Sequence, residues 1–207
     1  MRWLIPLFLV GLSAPAHAGN PWEDLMGPGK PRLWAEPQGR FYLDLPIGWE
    51  AKPNGNVVDF WKTHPDAGYV AHAAVEIRPV PPGVNLKHFA LRVEEETKRS
   101  APQYKVLEQD RPTIGGAPAI RRAFTYQERN HANLQNEVVQ VIALFGERAF
   151  IITLETALGA RGVFWEDFEK MLKGFGGRAP GEESLGLPQQ RKRVKSGEMV
   201  NPNAVPY

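Results

Sequence analysis

Apolar and polar residues alternate from Arg40 to Leu45, with Phe41, Leu43 and Leu45 on one face and Tyr42 and Asp44 on the other. That period of two predicts a strand. Pro46-Ile47-Gly48-Trp49 then turns the chain, because proline fixes φ and glycine tolerates a positive φ. Asn54-Gly55 is a second turn signal, and Asn56–Lys62 (NVVDFWK) reads as the next strand. Tyr69–Arg78 reads as a third, with Tyr69, Ala71, Ala73, Val75 and Ile77 on one face, and Pro79-Val80-Pro81-Pro82-Gly83 ends it. The period then changes. Leu86, Phe89, Ala90 and Val93 fall at i, i+3, i+4 and i+7, one stripe of a helix. Asn85 is suited to cap it and Pro102 to close it, so the helix is predicted over Leu86–Ser100.

The second half returns to strands. Tyr104–Asp110 reads as a short one, Ile114-Gly115-Gly116 as a turn, Ala117–Glu128 as a long strand and Glu128–Asn133 as a polar turn. Leu134–Phe145 and Arg148–Thr156 form the strongest hairpin signal, with Gly146-Glu147 between them in the pattern of a type II′ turn. Both of these strands are apolar on both faces, which predicts cover on both sides. A second helix is expected over about 160–174, with Phe164, Phe168, Met171, Leu172 and Phe175 on one stripe. Its acids, Glu166, Asp167 and Glu169, lie toward its start, and Lys170 and Lys173 lie near its end, the order that suits the helix dipole. Gly176-Gly177 can supply its stop. The expected fold class is α+β, an antiparallel β-sheet with helices packed on its faces.

The flanks carry different patterns. Arg2, the apolar run Trp3–Leu12 and Ala16-His17-Ala18 before Gly19 match a secretory signal peptide. The run is too short for the roughly 20 residues that span a bilayer, and no later segment is apolar for long enough. The domain organisation expected is therefore a signal peptide (1–18), a Pro/Gly-rich arm (19–38), one α/β sandwich domain (39–175) and a disordered basic tail (176–207). The product is expected to be exported, to the periplasm or beyond. Trp22 and Trp34 make the arm apolar enough to dock on its own domain or on a partner, and Arg191, Lys192, Arg193 and Lys195 make the tail basic.

Composition narrows the chemistry. The 207 residues include no cysteine, which excludes thiol catalysis, iron–sulfur clusters and Cys-based zinc sites. A formal charge of +2 is too small for a dedicated nucleic-acid binder, whose affinity needs a concentrated basic field. His64, His72, His88 and His131 are scattered, and His72 and Glu76 stand about 13 Å apart along one strand face. Scattered surface histidines are the expectation, with no metal or other cofactor. No nucleophile elbow, Walker pattern or dinucleotide fingerprint is present. Asp44, Asp59, Glu76 and Glu155 are the carboxylates that a hydrolase would need to bring together. Arg122 is in phase with Ile120, Phe124 and Tyr126, so its guanidinium must be paired, snorkelled or ligand-facing. Structural pairing with Glu155 or Glu137 is the expectation.

Four segments carry a family likeness. They are Phe41-Tyr42-Leu43-Asp44-Leu45-Pro46-Ile47-Gly48-Trp49, Val84-Asn85-Leu86-Lys87-His88-Phe89-Ala90, Ile114-Gly115-Gly116-Ala117-Pro118-Ala119, and the closing helix Phe164–Phe175. In order and spacing the chain from Arg40 to Phe175 resembles the PsbP/DcrB-like family. The resemblance implies a PsbP-like α/β/α sandwich and an exported accessory or binding protein without a shared catalytic set, so no functional residue is carried over. The expected function is a non-enzymatic accessory or binding protein contacting an envelope protein or anionic surface, with Trp22, Trp34, Arg122, Arg191, Lys192, Arg193 and Lys195 as contact residues. The alternative is a small-ligand or lipid carrier with a pocket between sheet and helix lined by Phe89, Phe124 and Tyr126. A carboxylate-based hydrolase is the third reading.

Overall fold

The computed structural model describes residues 31–64, 70–128 and 134–183. The signal-peptide segment, Trp22 and His131, the turn at 129–133, and the basic residues Arg191, Lys192, Arg193 and Lys195 lie outside the described residues. The strands are β1 (Arg32–Ala35), β2 (Phe41–Leu45), β3 (Glu50–Asn54), β4 (Val57–Thr63), β5 (Val70–Pro79), β6 (Lys105–Asp110), β7 (Thr113–Ile114), β8 (Ala117–Gln127), β9 (Gln135–Phe145), β10 (Arg148–Ala157) and β11 (Gly176–Gly177). The helices are α1 (Leu86–Ser100) and α2 (Arg161–Lys173).

The main sheet runs β3-β4-β5-β10-β9-β8-β6, with β7 pairing with β8 off that path, and β1-β2-β11 form a small second sheet. All the pairings are antiparallel. Alternation divides the main sheet into two unequal interfaces. On one face Val58, Phe60, Ala71, Ala73, Val75, Val139, Val141, Phe150, Ile152 and Leu154 meet Phe41, Leu43 and Leu45 of β2 and Phe164, Phe168, Met171 and Leu172 of α2. On the other, Phe89, Ala90 and Val93 of α1 pack on Ile120, Ile142, Ala149 and Ile151. The α+β class with helices on the sheet's faces is thus the observed one.

Local chemistry explains the joints. Asn85 Oδ1 accepts from the His88 amide at 3.0 Å, capping α1. Gly146 takes φ 61° at the head of the β9–β10 turn, as a type II′ turn requires. The Pro-Ile-Gly-Trp turn also anchors α2. Trp49 is buried edge-to-face against Phe164, and its indole N–H donates to Asp167 at 3.0 Å. Lys62 donates to the same carboxylate at 2.6 Å.

Four strands depart from the pattern read in the sequence; the shortest, β7, takes Ile114 from the segment read as a turn and pairs with β8. Strand β1 falls inside the segment read as an arm and pairs with β2. Trp34 packs there against Phe41 and Phe60, with centroids 5.7 and 5.4 Å away. Strand β3 contains Pro53 and little apolar surface, which is tolerated because β3 is an edge strand. Strand β11 is Gly176-Gly177, read as a helix stop; a Cβ at Gly176 would overlap the Tyr42 ring, so only glycine allows this approach.

Glu36 and Arg40 hold the small sheet to the large one. Arg40 donates to Glu36 Oε1 at 2.8 Å, to the Gly55 carbonyl at 2.7 Å and to Asn56 Oδ1 at 2.8 Å. Burial pushes the Glu36 carboxyl up, but the hydrogen bonds and charge of Arg40 outweigh it and hold the group below its ordinary value of 4.5. The stabilisation from Glu36 is therefore present above pH 4.5 and is lost as pH falls through the lowered native value. Replacing Arg40→Met should cost about 3 kcal/mol by leaving a buried carboxylate unpaired. Urea denaturation should show that loss at pH 7 and a smaller one at pH 3, where Glu36 is protonated in the variant.

Candidate functional site

An α-helix is about 10 Å across, so α1 covers only part of its sheet face. It rests on β8 and β9, and the same face of β4, β5 and β10 extends beyond it. Directly paired residues share a face, so the strand register sets out that bare area in rows. Trp61, His72 and Glu155 lie side by side across β4, β5 and β10. Asp59, Ala74, Thr153, Gln140 and Arg122 form the next row, and Val57, Glu76 and Ile151 the next.

The middle row dips because Ala74 and Thr153 are small. The result is a groove of about 490 Å3. Its floor is Ala74, Thr153, Ile151 and Gln140; one wall is Val93, Glu96, Thr97 and Ser100 of α1. The other wall is Val57, Asp59 and His72, and Glu76 and Arg78 stand at one end. The volume is within the range of small-ligand sites.

Most polar groups in the groove are engaged. Arg78 Nε and Nη2 donate to Glu76 at 2.7 and 3.0 Å, and Nη1 donates to Glu96 at 2.5 Å. The Glu76 carboxylate raises the Arg78 pKa above its ordinary value, burial opposes this, and Glu96 adds to it. His72 Nε2 lies 2.8 Å from Asp59 Oδ1, and its ring stacks on Trp61 with centroids 4.1 Å apart. The Thr97 hydroxyl donates to the Val93 carbonyl, and that of Ser100 to the carbonyls of Glu96 and Thr97. Gln140 differs. It is 6% exposed, lines the floor, and its side-chain carbonyl Oε1 is buried without a partner. A buried acceptor left in this state costs free energy until something donates to it.

Beyond His72, a hydrogen-bonded cluster continues the bare face. Tyr126 donates its hydroxyl to Glu155, and Asn136 Nδ2 donates to Glu155 at 2.8 Å and to the Tyr126 oxygen at 3.0 Å. Burial and then the Glu155 carboxylate push the Tyr126 phenol up to about 12.

The sequence-derived candidates fall in several places. Arg122 is 2% exposed beneath α1, with Nη1 3.3 Å from Glu94 and Nη2 donating to the Ala90 carbonyl at 3.3 Å. Its partner is the helix, because Glu155 is held by Tyr126 and Asn136, and Glu137 lies 3.2 Å from Arg161. The expected lining of Phe89, Phe124 and Tyr126 is corrected too. Phe89 and Phe124 are buried in packed contacts, and the opening lies past the other edge of α1. Among the carboxylates, Asp59 and Glu76 converge in the groove. Asp44 sits elsewhere, beside Gly174 at the end of α2, where burial pushes its carboxyl up. Among the described residues no cluster of three or more His, Asp or Glu is placed to hold a metal.

Gln140, Thr153, Glu96 and Thr97 are new to the site. Gln140 and Thr153 were visible as polar residues interrupting apolar strands. The expectation of cover on both faces fails there, since Thr153 and Glu155 of β10 line open surface.

The Tyr126 cluster makes a testable statement about high pH. A phenol with a raised native pKa contributes stability that is complete below the unfolded value near 10 and is lost as pH rises through about 12. Absorbance at 295 nm should show one tyrosine ionising late, and Glu155→Gln should move that ionisation toward 10.

No family model matches the sequence, and no curated protein matches it. Solved structures do. Cyanobacterial PsbP from Synechocystis matches with 11% identity and a TM-score of 0.53, over 73% of this chain and 95% of that one. LpqN of Mycobacterium tuberculosis matches with 13% identity and 0.52, over 74% and 87%. Mog1p of Saccharomyces cerevisiae matches with 10% identity and 0.54, over 72% and 96%. The PsbP part of the resemblance read in the sequence therefore holds at the level of fold, while nothing points specifically to DcrB. The chain has a PsbP/Mog1-like α+β fold.

Proposed function

We propose that this chain is an exported, non-enzymatic binding protein of the cell envelope, and that the groove between α1 and strands β4, β5 and β10 is where it binds. The observation that carries this reading is Gln140. A protein that only needed a closed core would place an apolar residue at that floor position, as it does at Val138 and Ile142 on either side. Instead the position holds an amide that lines an open concavity, with its carbonyl oxygen buried and unpartnered.

Binding is favoured over catalysis by the state of the acids. A general acid at neutral pH needs a carboxyl kept protonated by an apolar site. Here Glu76 is held in a two-point fork by Arg78, and Asp59 is paired with His72. The Ser100 and Thr97 hydroxyls are committed to backbone carbonyls, so neither is set against His72 as a nucleophile.

Export is supported by the signal pattern at 1–18. LpqN is described as involved in cell envelope biogenesis and Mog1p as a Ran-binding protein, roles of the same general kind. Among the described residues no helix is long and apolar enough to cross a membrane. The four basic residues from Arg191 to Lys195 would then hold the protein weakly at an anionic surface, at about 1 kcal/mol for each charge.

Expression with residues 1–18 in a bacterial host should yield a periplasmic product whose mass begins at Gly19. A full-length cytoplasmic product would overturn export. The substitution Ala74→Trp fills the groove from its floor. It should leave the circular dichroism spectrum unchanged and abolish what native mass spectrometry finds bound to the wild-type protein from its own envelope. Unchanged recovery would rule out the groove as the binding site.

A further inference from the structure

Tyr42 and Asp44 share the half-buried face of β2, and the chain leaving α2 meets them with Gly176 and Gly174. A Cβ at Gly174 would lie 2.5 to 2.6 Å from the Cγ, Cβ and Oδ2 atoms of Asp44, so the carboxyl rests against the residue that ends α2. Two amides close that end. Gly174 donates to the Lys170 carbonyl at 3.0 Å and Phe175 to the Leu172 carbonyl at 3.3 Å, and the carbonyls of Met171 and Lys173 receive neither. Asp44 itself has no hydrogen bond or ion pair among the described residues. The charged groups of the elements around it are committed elsewhere. On α2, Lys170 pairs with Glu166 at 2.9 Å, Lys173 pairs with Glu169 at 3.2 Å, and Asp167 is held by Lys62 and Trp49. Beyond β11, Arg178 lies over the Tyr42 ring and donates to the Glu183 carbonyl at 2.9 Å. On β1, Leu33 stands opposite Asp44, and Arg32 stands opposite Leu45.

We propose that Asp44 makes the junction between α2 and the small sheet acid-sensitive, tight when the carboxyl is protonated and loosened when it is ionised. A helix ends in unpaired carbonyls and the negative pole of its dipole, which a cation ordinarily matches. Here a carboxyl stands at that end. Ionised, it sets a full negative charge against the carbonyls; protonated, it has a hydrogen to donate to one of them. Burial pushes the Asp44 carboxyl above its ordinary value of 3.8. Its contribution to stability is therefore complete below pH 3.8 and is lost as pH rises through the raised value. The sign is opposite to that of Glu36, whose stabilisation is lost on acidification. The junction is small, since β11 pairs with β2 only through Gly176 and Gly177. Through it, acid would tighten the hold on the segment that leads to the C-terminal residues.

NMR of the full chain tests this in two ways. The carboxyl carbon of Asp44, followed from pH 7 to pH 3, should titrate above 3.8. Amide exchange, corrected for intrinsic rates, should show the amides of Gly174, Phe175 and Arg178 more protected at pH 4 than at pH 7. The expected gain is about two- to fivefold, the range for one charge at a helix end. The Phe89 amide, which donates to the Asn85 carbonyl at the start of α1, should not share it. Asp44→Asn carries no charge and keeps a donor, so it should hold the higher protection at both pH values. A carboxyl titrating at or below 3.8, a gain that persists in Asp44→Asn, or a gain equally large at Phe89 would overturn the proposal. The carboxyl titration needs no variant, so it decides the question where the substitution disturbs the fold.

Discussion

A sheet of seven strands about 4.8 Å apart is roughly 29 Å wide, and one helix about 10 Å across cannot cover it. The rest of the structure follows from how this area is divided. On one face the problem is solved twice over, by α2 and by the small sheet around β2, which together bury a continuous aromatic and aliphatic core. On the other face α1 has no companion among the described residues. It seals β8 and β9, and beyond it the sheet must be polar to be stable in water. The bare half is accordingly built from Asp59, His72, Glu76, Arg78, Thr153 and Glu155. The groove is the step between covered and uncovered sheet.

That division also explains the two kinds of polar burial. Glu36 with Arg40, and Arg122 with Glu94, are ion pairs at joints between layers. Each sets how one element sits on another. Gln140 is at a similar depth and joins nothing through its carbonyl. Its position at the foot of α1 gives the groove a polar floor. The Tyr126, Asn136 and Glu155 cluster supplies its own donors and acceptors, which separates it from the groove in chemistry although it shares the face.

Much of the fold was legible in the sequence because its elements carry their own local instructions. The alternation in β2 and β5, the stripe and Asn85 cap of α1 and the glycine at the head of the β9–β10 turn each specify their element without tertiary help. Strands β1, β3 and β11 lack such instructions. Trp34 becomes part of a strand because Phe41 and Phe60 receive it. Pro53 is tolerated only because β3 has no outer neighbour. Gly176 pairs because Tyr42 leaves no room for a side chain. The groove was less legible for a deeper reason. It depends on β5 lying beside β10, which brings His72 opposite Glu155 and Ala74 opposite Thr153, a pairing between segments far apart in the chain. The phase of Arg122 in β8 demands a partner for its guanidinium, but which partner it meets depends on where α1 comes to rest.

Hydrogen–deuterium exchange, with and without the protein's own envelope extract, tests the central claim most directly. If the groove is the binding surface, amides of 96–100 in α1, 72–78 in β5 and 57–61 in β4 gain protection together, while α2 and edge strand β6 do not change. Protection confined to α2, to β6 or to the termini, with those three segments unchanged, would contradict the account.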